Sequence, residues 1–144
     1  MSLTVQGVVE TWLHSVLSSS SAVNTATSGN IFADELPQDL GEAALPGVLY
    51  GFIAGQDETR YGGATRVFSN VIYKVEVLHL GTTADADAIY TLVDALIHAK
   101  SGTVTGGKVI SCVRTQPRSF TETLPGGQKI RHSGGLYLLQ IQTD

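Results

Sequence analysis

Four histidines and one cysteine have the clearest chemical potential in this chain. His14, His79, His98 and His132 lie far apart in the sequence. A zinc site needs three or four ligands that converge, and this spacing supplies no local set. Cys112 stands alone in an apolar stretch, which excludes an intrachain disulfide and a cysteine zinc cluster. The sequence therefore predicts no metal and no other cofactor.

Glycine pairs and neighbouring aspartates are the other patterns that catalytic and phosphate sites use. Adjacent glycines occur at positions 62–63, 106–107, 126–127 and 134–135. They match neither GxGxxG nor GxxxxGK[ST], and each stands where a hairpin needs a turn. Asp85 and Asp87 fit the first turn of a helix, where carboxylates interact favourably with the helix dipole. We therefore predict no catalytic residues and no enzyme activity.

A cluster of cationic residues near the C-terminus is more informative. Its members are Arg114, Arg118, Lys129, Arg131 and His132, with Glu122 among them. A hairpin over residues 118–132, about the turn at Pro125-Gly126-Gly127, places these side chains along its two arms. Two interpretations stay open: a solvated hairpin whose charges prevent edge aggregation, or a protruding arm that contacts an acidic partner or the phosphates of passing DNA.

A long strand is predicted at residues 66–80, because polar and apolar residues alternate along most of it. Val71, Tyr73, Val75 and Val77 define its buried face, and Asn70, Lys74 and Glu76 its solvated face. Such a strand reaches about 50 Å, whereas a chain of this size folds to a diameter of roughly 35–40 Å. The strand must bend or project. Its end near Arg60, Tyr61, Arg66 and Phe68 is therefore a candidate interface.

The remaining pattern predicts an α+β fold, with two helices on one face of a mainly antiparallel sheet in the order α-β-β-α-β-β-β. Helices are expected at residues 4–17 and 84–99, and a polar loop at 18–30. Pro117 is expected to interrupt a strand, and Lys100 and Gly102 to end the second helix. The other strands are expected at residues 48–54, 109–114, 118–124, 128–132 and 136–142.

Composition limits the class of protein. The 144 residues are expected to form one domain, residues 1–144, and their net charge of −4 gives no general footprint for nucleic acid. Charged residues make up 15 %, below the usual quarter. This low share suits a protein that buries its exterior against neighbours, and it suits equally a protein whose loops are rich in Ser, Thr and Gly. No signal peptide or membrane span is evident, so synthesis in the cytoplasm is expected.

The order and lengths of these elements resemble the tail-terminator, or tail-completion, family of long-tailed bacteriophages. The resemblance rests on the amphipathic N-terminal helix, the lead-in Leu45-Pro46-Gly47-Val48, the long strand at 66–80, the helix directly after it, and the arginine-bearing strands that close the chain. It covers nearly the whole chain. The long Ser-rich loop at 18–30 departs from the common pattern.

This resemblance implies a structural virion protein with no catalytic residues. Family members form a hexameric ring that caps the head-proximal end of the tail tube, ends tube polymerisation and joins the head-completion, or stopper, protein. The implied partners are further copies of the chain, the tube protein, the stopper and DNA that passes without sequence-specific binding. The implied arrangement has the sheet lining the lumen and the helices outside.

Two alternatives remain at this stage. A head-closure, stopper or other neck protein shares the ring symmetry, so the sequence does not separate it from a terminator. A small α+β ligand-binding domain or enzyme would require a pocket with convergent polar groups, and no such set is evident in the sequence. Within the terminator interpretation, we expect the loop at 55–64 and the arm at 118–132 to make inter-subunit or axial contacts.

Overall fold

The computed structural model describes residues 4–37, 41–59 and 66–143. Three helices, six strands and a short 3₁₀ turn (Gly41–Ala44) make up these residues. In chain order the main elements are α1 (Val5–Ser18), α2 (Ser21–Thr27), β1 (Ile31–Ala33), β2 (Gly47–Thr59), β3 (Arg66–His79), α3 (Thr83–Ile97), β4 (Lys100–Val104), β5 (Gly107–Thr123) and β6 (Lys129–Thr143).

The six strands form one sheet in the order β1-β2-β3-β6-β5-β4. β1 runs parallel to β2, and every other neighbouring pair is antiparallel. The predicted α+β class, the mainly antiparallel sheet and the order of the longer elements are confirmed. α2 and β1 are short additions to that order.

Side-chain caps fix where the two long helices begin. The Thr4 hydroxyl accepts a hydrogen bond from the Gly7 N–H at 3.1 Å, which satisfies one free donor of α1. At α3, Thr82 and Asp85 form a reciprocal capping box, with distances of 3.2 and 3.0 Å. The capping role predicted for Asp85 is confirmed, and both predicted helices end within two residues of their expected bounds.

One face of the sheet packs against the helices and forms the main core. Val71, Tyr73, Val75 and Val77 of β3 are each at most 3 % exposed and contact the apolar stripes of α1 and α3. Burying such side chains contributes roughly 1.5–3 kcal/mol each. Cys112 is fully buried in the same core, as predicted.

The other face of the sheet is covered at one end, which the alternation in β3 did not predict. Glu76 and Leu78 are each only 3 % exposed. Leu78 belongs to a second apolar cluster with Leu49 and Ile130, and residues of the connection before β2 pack against it. The expectation that Glu76 faces solvent is therefore wrong, because this connection and the β5–β6 hairpin fold over that end.

The predicted loop at 18–30 contains the helix α2. The Ser20 hydroxyl accepts a hydrogen bond from the Val23 N–H at 3.3 Å and caps the helix. Val23 and Thr27 are fully buried. The loop prediction is wrong because packing of these two side chains outweighs the polar composition, as tertiary contacts do for most short helices.

β5 and β6 are each one continuous strand, so the breaks predicted at Pro117 and near Gly134-Gly135 are wrong. Within the described residues, no strand flanks β5 on its outer side at Pro117, and an edge strand tolerates a residue without an N–H. A Cβ at Gly134 would collide with the Val75 carbonyl oxygen. Gly134 thus permits close strand contact and makes no turn.

The predicted turns are confirmed at the other two glycine pairs that the structure describes, 106–107 and 126–127. Gly106 has φ +101°, and Gly126 and Gly127 have φ +97° and +87°, conformations that glycine adopts without strain. The pair at 62–63 lies outside the described residues. Lys100 and Gly102 belong to β4, a strand that the sequence did not predict, because α3 already ends at Ile97.

Candidate assembly surfaces: the cationic hairpin and the sheet edges

The hairpin predicted at residues 118–132 forms as part of the sheet. Arg118 lies opposite Gly134, and Phe120 opposite His132. The Phe120 and His132 rings stack with centroids 4.1 Å apart, and the Arg118 guanidinium carbon lies 5.7 Å from the Phe120 centroid. These contacts hold Arg118 half-buried on the face of the sheet that carries no helix.

The buried carboxylate of Glu76 lies next to these rings. His132 Nδ1 is 3.3 Å from Glu76 Oε1, and Lys74 Nζ is 3.5 Å from the same oxygen. Burial alone would raise the pKa of Glu76, but the His132 hydrogen bond and the Lys74 charge outweigh it and leave the pKa below its usual value. Glu76 is therefore held as a carboxylate.

Glu122 approaches the same histidine from the surface. Its Oε1 lies 3.5 Å from His132 Nε2, and its side chain is 50 % exposed. That nitrogen is buried yet makes no hydrogen bond with any residue that the structure describes. The histidine thus links one buried and one exposed carboxylate across strands β3, β6 and β5.

The other hairpin cations differ in how tightly they are held. Arg131 donates from Nε to the Gly81 carbonyl at 3.3 Å and from Nη1 to the Thr121 hydroxyl at 3.0 Å. Lys129 is exposed opposite Thr123. Arg131 therefore fastens the hairpin to the start of α3, while Lys129 presents its charge to solvent.

The tip of the hairpin is also docked on the chain. Gln128 Nε2 donates to Glu42 Oε1 at 2.9 Å, and Ile130 lies in the second apolar cluster. Of the two interpretations left open by the sequence, a freely projecting arm does not match these contacts. The hairpin is instead a fixed ridge with exposed charges.

Arg114 lies on the helix side, outside the hairpin. Its backbone N–H donates to His98 Nδ1 at 3.1 Å, and its Nη1 donates to the Tyr90 hydroxyl at 3.4 Å. The Tyr90 and Tyr137 hydroxyls are 2.5 Å apart, and Tyr137 donates to Asp94 at 2.6 Å. The hydrogen bond to Tyr90 raises the pKa of Arg114, so its charge is permanent.

The candidate residues of the first hairpin are only partly described. Arg60 and Tyr61 lie outside the described residues, as does much of the loop expected at 55–64. Arg66 is the first residue of β3, and Phe68 is half-buried opposite Glu58. Residues 55–59 of that expected loop belong to β2.

Both sides of the sheet have stretches that no described strand covers. β1 pairs with residues 48–50 of β2, and β4 pairs with residues 107–112 of β5. We call residues 51–59 the β2 open edge and residues 115–123 the β5 open edge, since His98 already occupies the N–H of Arg114. Unpaired backbone groups of this kind are templates for another strand.

A cleft adjoins each open edge on the helix side. The cleft beside the β5 open edge has a volume of about 360 Å³ and is lined by residues that include Asp87, Tyr90, Pro117 and Ser119. The cleft beside the β2 open edge has a volume of about 300 Å³ and lies between the start of α1 and Phe52. Each cleft is open to side chains from outside the subunit.

A sequence profile described as "Tail completion protein gp17" matches residues 11–132 of this chain. The chain belongs to this family. No curated protein sequence matches it. Among solved structures, a chain from the "Virion of native gene transfer agent (GTA) particle" matches with a TM-score of 0.68 and 13 % identity, covering 98 % of this chain and 100 % of that chain. At that identity the likeness shows the fold.

This tail completion protein is a structural tail protein, and the family resemblance inferred from the sequence is confirmed. The sequence identified the cationic residues, and the register of the hairpin places Arg118 and His132 on its helix-free face and Lys129 and Arg131 on the opposite face. The sequence missed the buried Glu76, because a lone acid on the polar side of an alternating strand carries no signal of burial. It also missed the open edges, which depend on how short β1 and β4 are.

Two further observations concern the described part of this tail completion protein. No three histidine, cysteine, aspartate or glutamate side chains among these residues are grouped as metal ligands would be. None of the described helices has the length and apolar character needed to cross a bilayer.

Proposed function

We propose that this tail completion protein forms a closed homohexameric ring at the head-proximal end of the phage tail tube. The ring ends tube polymerisation and offers the surface that the head-completion, or stopper, protein binds. The observation that carries this proposal is the family match over residues 11–132, which spans the elements from α1 to the hairpin.

The chemistry of the helix-free face supports a lumen on that side of the subunit. Val113 and Leu138 are among its exposed residues, at 43 and 40 %. Apolar groups do not bind phosphates, and the chain carries a net charge of −4. A passage lined in this way lets DNA move without sequence-specific binding, while the helices face outward.

The hairpin ridge and the end of the first hairpin supply axial or inter-subunit contacts in this arrangement. Lys129 is exposed and Arg118 is half-buried, so both are accessible to an acidic neighbour. Deleting residues 118–132 is not a clean test, because Ile130 and His132 are part of the folded sheet. Point substitutions at the exposed charges are the better probe.

The test is to assemble tails with and without this chain and to measure tube length by negative-stain imaging. Overlong or uncapped tubes in its absence support termination, whereas tubes of normal length contradict it. Binding assays then separate the neighbouring roles. A terminator binds purified tail tubes, and a stopper or other neck protein binds portal–adaptor complexes instead.

A further inference from the structure

The two open edges are complementary parts of different strands. Both are extended, and each has a length of about 30 Å. β2 and β5 run in opposite directions across the sheet, since each neighbouring pair from β2 through β3 and β6 to β5 is antiparallel. Two copies in the same orientation therefore bring a β2 edge beside a β5 edge as an antiparallel pair.

The positions of the short strands leave room for this pairing. β1 covers the start of β2, at the end of the sheet where Phe120 lies, and β4 covers β5 at the opposite end. A neighbour displaced along the strands meets the β2 open edge with its own β5 open edge. β1 and the neighbour's β4 then lie beyond the two ends of the pair without collision.

The clefts beside the two open edges favour the same arrangement. The clefts on the helix side receive alternate side chains of the added strand, as in other strand-addition interfaces.

We propose that neighbouring copies of this chain join by antiparallel pairing of the β5 open edge of one copy with the β2 open edge of the next. The contact uses different surfaces on the two copies, so it repeats head to tail and closes into a ring when the rotation permits. This inference rests on the proposed function only in taking a second copy as the occupant of each edge.

Cysteine cross-linking tests the pairing directly. Gln56→Cys on the β2 open edge is combined in turn with Gln116→Cys and Arg118→Cys, which lie on the β5 open edge and share the helix-free face with Gln56. A disulfide needs Cα atoms within about 7 Å, so it reports the register of the pair. Native Cys112 does not compete, because burial raises the pKa of its thiol to about 12.

The matched control combines Gln56→Cys with Thr91→Cys, an exposed residue of α3. We expect at least one edge combination to give a ladder of covalent oligomers on oxidation, several-fold above the control, with the melting temperature of the reduced variants unchanged. Rings seen by light scattering with no cross-link from any edge combination overturn the pairing but leave the proposed function intact. Cross-linked rings that leave tube length unchanged support the pairing and overturn the proposed function.

Discussion

The hydrogen bond between Glu76 and His132 is the most deeply buried side-chain contact of a carboxylate in the described part of the sheet. Removing a partner from such a pair leaves a charge without compensation, which costs more than the contact itself contributes. The pair also ties β3 to β6 at the position where the hairpin ridge begins. Its state of ionisation therefore affects the ridge that carries Arg118 and Lys129.

Glu76 makes the stability of this protein depend on acid pH. Its pKa is lowered in the folded state, so the stabilisation is present above the ordinary value of about 4.5 and is lost as the pH falls through the folded value. We expect Glu76→Gln to lower the free energy of unfolding at pH 7 by about 1–3 kcal/mol. We also expect the free energy of unfolding of this variant to fall less steeply at acid pH, the acid limb of its pH profile, than that of the wild type. Urea denaturation across pH 3–7 measures both.

Glu122→Gln is the control for that substitution. Glu122 contacts the same histidine, but its side chain is 50 % exposed and its contact is screened by water. We expect a change within about 0.5 kcal/mol and an unaltered acid limb. An acid limb that is equally steep in wild type and Glu76→Gln would show that other groups govern acid unfolding.

Two long strands contain residues that normally break strands. Because of Pro117 and Gly134, four short strands are predicted from the sequence where the structure has two long ones, β5 and β6. Local propensity is a weak guide at both places, because one residue lies on an open edge and the other lies where β3 and β6 approach closely. Helix starts were predictable from the same sequence, since Thr4 and Thr82 act through contacts three residues away.

Gly134 is required by that close approach. A Cβ there would lie against the Val75 carbonyl oxygen and Glu76, and backbone atoms cannot move aside cheaply. We expect Gly134→Ala to lower the free energy of unfolding by roughly 1–3 kcal/mol. Thermal denaturation measures the change as a lower melting temperature.

Gly51→Ala is a matched control within the same sheet. Its Cβ would make only ordinary contact, 3.7 Å from the nearest atom of Asp34. We expect no loss of stability at Gly51, since alanine lowers the entropy of the unfolded chain. Equal effects at both positions would refute a special role for the close strand contact.

At the scale of the whole molecule, the sequence predicted the class and the family but not the surfaces. The spacing of apolar residues in β3 and α3 predicted which face of each element is buried, because the buried side chains of a strand or helix recur at a regular interval. The open edges and the covered end of the helix-free face depend on where short segments such as β1 and α2 dock. No local pattern encodes those positions.

The exposed charges of the hairpin ridge provide a test at this scale. We expect Arg118→Glu with Lys129→Glu to slow capping of tail tubes roughly tenfold at low salt, because the ridge then repels an acidic neighbour. The difference from wild type should shrink at high salt. Tube length against time measures it.

Lys108→Glu is the control, since Lys108 is exposed on β5 where β4 covers that strand. It changes the net charge in the same direction without touching the ridge. If each reversed charge slowed the capping of tail tubes equally in both variants, the effect would come from the net charge of the protein and not from the ridge.

The offset between the two open edges has a consequence for the shape of a ring. Copies in a closed ring cannot rise along its axis, yet the proposed pairing displaces each sheet along its strands relative to the next. The strands must therefore tilt against the axis, as they do in every closed barrel, and the tilt sets the width of the bore. The short strands β1 and β4 determine where the open edges begin. Their lengths therefore help to set the width of the bore.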